Sequence, residues 1–172
     1  MLELLLAIDV VAAQMGSNPV PETGVGGFTS VLGSAVGAFL TTLIVGAILI
    51  ALAPTYTAAR MDDVLEAPLG AFLYGVVCLF LLLLVIVILV ITILGIPFAV
   101  LLTLLAYLIW AVGAAIAFLA IGDRLVGRAD GWTKPLLVGA AINGGLTLTG
   151  IGGILTFAIG AAGFGTVLRT YL

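Results

Sequence analysis

The sequence has 172 residues, 64% of them hydrophobic and 8% charged, with a formal net charge of −3 and a mean hydropathy of +1.45. A soluble domain carries about a quarter charged residues, so this composition excludes one and calls for a lipid bilayer as partner. No histidine and a single cysteine are present, which removes the usual zinc ligands and histidine acid–base chemistry; no cofactor, metal site or nucleic-acid partner is expected.

Acidic residues outnumber basic ones by eight to five, and Lys134 is the lone lysine. This balance fits a salt-adapted archaeal or bacterial source, and equally an accident of loop solubility. Uncharged windows run from Thr23 to Ala59, Ala67 to Gly122 and Pro135 to Leu168, each longer than the roughly 20 apolar residues that cross a bilayer as helix. In lipid the backbone amides must pair within their own segment, and these runs are continuously apolar instead of alternating as in a β-barrel. The expected fold is all-α: a polytopic transmembrane helical bundle in a single membrane domain, residues 1–172.

Residues 1–15, MLELLLAIDVVAAQM, have the apolar centre of a signal peptide but lack a basic start, and Glu3 and Asp9 interrupt them. A retained short helix of about 20 Å, lying at the interface, is expected. A Pro/Gly-rich loop follows. The first spanning helix is expected over 28–53, with Gly33 and Gly37 placing two bare backbone patches on one face where another helix can approach.

The charged segment 54–67 reads as a polar loop, and Pro68 as the first turn of a second span over 69–94. Leu94-Gly95-Ile96-Pro97 closes that helix and opens a third over 98–121, since glycine suits a helix C-terminus and proline excludes helical geometry from the residue before it. A second polar loop holds Asp123, Arg124, Arg128 and Asp130, with Lys134 at its end and Trp132 as an interfacial aromatic.

The tail from Pro135 would extend about 54 Å as one helix, far beyond a core of about 30 Å. Thr149, Gly150, Gly152 and Gly153 are therefore expected to form the turn of a Gly-rich helical hairpin with arms 135–148 and 154–170. Charge placement agrees. With the N-terminus outside, a folded tail puts Arg60, Arg124, Arg128, Lys134 and Arg169 all on the cytoplasmic side, where they would anchor the protein or meet lipid headgroups.

Helix packing is expected at Gly33, Gly37, Gly144, Gly145, Gly153 and Gly160. Asn143 is the only carboxamide inside a span, with Thr147, Thr149 and Thr156 nearby; it reads as an interhelical hydrogen-bonding group or as the lining of a small-solute path. No ionisable residue falls inside a span, which disfavours ion-coupled transport, and no nucleophile–base set is present, so no enzyme is expected.

From about Pro54 onward the order of features resembles the uncharacterised integral-membrane domain attached to bactofilin-like polymer-forming proteins. The matching pieces are Pro68 and Gly75 opening a long apolar span, Leu94-Gly95-Ile96-Pro97 between spans, Gly122-Asp123-Arg124-Leu125 ending the third, and a Gly-rich hairpin at Gly150 to Gly153. That family often has a proline in the hairpin turn, which is absent here. The resemblance implies a membrane architecture. The function expected is structural or assembly-type, in a homo-oligomer or beside another membrane or membrane-associated protein; the alternative is a passive channel or carrier for a small neutral solute or ion.

Overall fold

The computed structural model of the protein describes residues 25–92, 95–129, 131–149 and 151–169; the short helix expected over 1–15 lies outside them. Among the described residues there are six helices and no strand: α1 (Val25–Leu52), α2 (Pro54–Glu66), α3 (Pro68–Ile91), α4 (Ile96–Val126), α5 (Thr133–Thr147) and α6 (Gly152–Leu168). Ser34–Leu172 forms one compact unit; Met1–Gly33 is another, of which residues 25–33 are seen as the first turns of α1.

Three helices are long and apolar enough to cross a membrane: Thr29–Leu52 within α1, α3, and α4. Many of their large side chains face outward. Leu83, Leu84, Ile88 and Ile91 of α3 and Phe98, Leu101, Leu104 and Leu105 of α4 are exposed, an arrangement that lipid tolerates and water does not.

The charged segment after α1 is a helix, where a polar loop was expected. Ala53 (φ −145°, ψ 59°) and Ala67 (φ −137°, ψ 63°) leave helical geometry at its two ends, each because the proline that follows excludes it. Pro54 and Pro68 then occupy first turns, where a missing amide hydrogen leaves no bond unmade. Thr57 Oγ1 donates to the carbonyls of Ala53 at 2.9 Å and Leu49 at 3.4 Å, tying the first bend. Thr57, Met61 and Val64, spaced to share one face, are buried. Met61 joins Ile116, Leu119, Ala120 and Val167 in the core, so α2 lies across the ends of α4 and α6. The charge count of the segment concealed that stripe.

Between α3 and α4 the chain turns sharply. Thr92 Oγ1 donates to the Leu89 carbonyl at 2.9 Å, and the Gly95 N–H to the Thr92 carbonyl at 2.7 Å. A side chain at Gly95 would strike the Leu89 carbonyl. α4 runs five residues past the expected end at Ile121, through Gly122-Asp123-Arg124-Leu125. It stops at Gly127, whose φ of 70° is left-handed and whose N–H reaches the Asp123 carbonyl at 2.7 Å.

α5 and α6 fold back on each other. Gly122 of α4 abuts Pro135 and Gly139 of α5, while Gly113 of α4 abuts Gly163 and Phe164 of α6. The first pairing runs antiparallel to α4 and the second, with Trp110 against Gly160, parallel. α6 is wedged between α3 and α4: Gly75 and Ala71 of α3 lie on its Ala161 and Gly165. At about 1.5 Å per residue, Gly152 lies about 16 Å from the Gly113–Gly163 contact and Ile96 about 26 Å, so the hairpin turn stops roughly 10 Å short of the start of α4.

Candidate functional site

The register of the helices brings the C-terminal ends of α4 and α6, the start of α3 and α5, and all of α2 to one end of the Ser34–Leu172 unit. The five basic residues gather there. Arg60 of α2 and Arg169, just past α6, line a cavity of about 300 Å³ together with Asp63, Glu66 and Thr166. Arg60 is ion-paired with Asp63 at 2.6 Å, one turn along the helix, and its guanidinium lies 5.6 Å from the Tyr56 ring centre.

Arg128 is held by two contacts. Its Nε lies 2.9 Å from Asp123 Oδ2, and its guanidinium sits 4.8 Å from the Trp132 ring centre, a cation–π distance. This knot closes the link between α4 and α5. Asp123 Oδ1 is buried and accepts no hydrogen bond among the described residues. Lys134 is exposed in the first turn of α5. Arg124 is exposed in the last turn of α4 and forms no ion pair among the described residues. Asp130 lies outside the described residues.

Asn143 is buried between α5 and α1. Its Nδ2 donates to Thr42 Oγ1 at 2.7 Å and to the Ala38 carbonyl at 3.3 Å. Its Oδ1 is buried without a partner among the described residues. The threonines named with it behave separately: Thr147 Oγ1 donates to the Asn143 carbonyl at 2.9 Å, Thr149 Oγ1 to the Leu146 carbonyl at 2.8 Å, and Thr156 Oγ1 is buried with no partner among the described residues. Thr42, the second of the adjacent threonines Thr41 and Thr42 in α1, is the neighbour that reading along the chain missed.

The glycines divide into two sets. Gly144 packs under α1, where an added Cβ would lie 3.0 Å from the Ala35 carbonyl oxygen, and Gly160 lies under the Trp110 ring. Gly33, Gly37, Gly145 and Gly153 have nothing among the described residues within 4 Å of that position. At the hairpin turn, Thr149 accepts from the Gly152 N–H at 2.9 Å, and a side chain at Gly152 would strike the Leu146 carbonyl; Gly150 lies outside the described residues. The closest helix contacts fall instead on Gly75, Gly113, Gly122, Gly139, Gly163 and Gly165, none of which the sequence reading assigned to helix packing. Their sequence signal is small residues four apart, as in Ala71/Gly75, Gly113/Ala117 and Ala161/Gly165.

These features define a membrane-embedded, all-helical protein with one charged end. Over residues 1–172 the chain belongs to the family described as a domain of unknown function (DUF8173). No curated protein and no solved structure matches it.

Proposed function

We propose that the protein is a structural or assembly-type integral membrane protein that associates with copies of itself through the glycine face of α1. The observation that carries this reading is the exposed Gly37, with nothing among the described residues within 4 Å of an added Cβ, while Gly75, Gly113, Gly122, Gly139, Gly163 and Gly165 are closed by the backbone of neighbouring helices. Gly33, one turn earlier on the same helix, is open as well. Helices in lipid associate through such bare patches because close approach gains dispersion contacts where no hydrophobic drive exists.

The protein is a multi-pass component of the cell membrane in this reading, with its N-terminus outside and its C-terminus cytoplasmic. The basic end then faces the cytoplasm, where Lys and Arg are retained and anionic headgroups are met. The resemblance of residues from Pro54 onward to the membrane domain of bactofilin-like proteins supports the membrane architecture, the polymer-forming domain itself being absent from this sequence; a membrane-associated protein is a second kind of partner in this reading.

The test is the mass of the detergent-solubilised protein by light scattering. The wild type is expected as an oligomer, and Gly33→Leu/Gly37→Leu as a folded protomer. A protomer mass for the wild type, or an unchanged oligomer in the double variant, overturns the proposal.

A further inference from the structure

A second, apolar recess of about 390 Å³ opens at the charged end between α3 and α4, with α6 as its floor. Phe72 and Leu69 form one wall, Ala117 and Ile121 the other, and Ala158 and Ala162 keep the floor low. The groove exists because α6 is wedged between α3 and α4 on close glycine contacts, which holds those two helices apart. Arg124 stands at its mouth and is the one charged side chain among the described lining residues.

Charge sorting at this end is sharp. Asp63 and Glu66 of α2 line the other cavity with Arg60 and Arg169, while the α2 residues that line this groove are Val64 and Leu65. Arg128 is taken by Asp123. Arg124 has no ionic partner among the described residues, so the apolar trough ends at a cation that none of those residues neutralises.

We infer that this groove is a specific site for one anionic glycerophospholipid, with its phosphate on the Arg124 guanidinium and an acyl chain laid between α3 and α4 over Ala158 and Ala162. A planar guanidinium binds a phosphate through two parallel hydrogen bonds, and each methylene buried adds to the apolar term. The occupant is selected by charge and polarity: a lining that is apolar except for one arginine matches an acyl chain that carries an anionic headgroup. The inference rests on the basic end being the headgroup-facing end.

Native mass spectrometry of the full chain in detergent tests it, because protomer count and lipid count are read from the same spectrum. Self-association can thus fail while lipid binding stands, and the reverse. With added phosphatidylglycerol, one lipid per protomer is expected to be retained at concentrations where phosphatidylcholine is not. Arg124→Gln should weaken retention about tenfold, the loss of one charge-assisted contact, and Arg124→Lys should restore part of it. Ala158→Phe, which fills the floor, should abolish retention of either lipid, whereas Ala141→Phe, on the exposed face of α5, should not. Circular dichroism checks that the variants remain helical, and Arg124→Gln decides the matter even if Ala158→Phe does not fold. Equal retention of the two lipids, no effect of Arg124→Gln, or a co-purified fatty acid in place of a phospholipid overturns the proposal.

Discussion

Gly163 of α6 packs against the carbonyl of Gly113 of α4, and neither position has room for a side chain: a Cβ on Gly113 would lie 2.5 Å from the Phe164 nitrogen and one on Gly163 would strike the Gly113 carbonyl. This contact fixes the depth and direction of α6. Through α6 it also sets the spacing of α3 from α4.

Gly113→Val is therefore expected to destabilise the protein by about 3 kcal/mol or more, because the obstacle is backbone, which cannot rotate away as a side chain can. Gly145→Val on the open face of α5 should cost less than about 1 kcal/mol. Unfolding of both variants by titration from mild detergent into SDS checks the difference; equal midpoints would show that the seam is not the determinant of packing.

The Asn143–Thr42 hydrogen bond joins α5 to α1 across more than 100 residues of chain, at 2.7 Å. In a double-mutant cycle with Asn143→Leu and Thr42→Val, a coupling of about 0.6 to 1.7 kcal/mol is expected, the range of interhelical hydrogen bonds in membranes. Additive effects in the SDS titration would mean that the pair does not hold the helices together.

Met61 is fully buried under the charged face of α2. Met61→Ala should cost about 2 to 5 kcal/mol, and the first consequence should be release of α2 from the ends of α4 and α6. Limited trypsin digestion reports this directly: cleavage after Arg60 is expected to be faster in the variant at temperatures where the remaining helices stay folded.

Topology is accessible with single cysteines on a Cys78→Ala background. Ala129→Cys and Arg169→Cys should label from the same side of a sealed vesicle, and Ile151→Cys should resist reagent from that side. Opposite-side labelling of positions 129 and 169 would contradict the fold-back of α5 on α6.

A solute path requires flux, so proteoliposomes give the measurement that separates an assembly protein from a passive carrier. With Nδ2 of Asn143 engaged by Thr42 and Ala38, glycerol entry is expected to match protein-free vesicles and to be unchanged by Asn143→Leu.

The sequence by itself determined the class and the approximate punctuation. Two charge-free windows, Thr23 to Ala59 and Ala67 to Gly122, punctuated by Pro54, Pro68 and Pro97, fix three helices of membrane length, since lipid offers no partner for an unpaired amide and proline excludes helical geometry before it. The same chemistry made segment 54–67 hard to read: four charges dominate its composition, while the stripe of Thr57, Met61 and Val64 becomes visible only when Ile116 and Val167 are found beneath it. Tertiary structure alone decided which glycines matter. With 23 glycines in the chain, spacing cannot tell Gly37, which is open, from Gly113, which is closed by a neighbour's backbone. Close approach is a property of two helices at once, and the register between α4 and α6 that creates it is set by contacts about 50 residues apart in the chain.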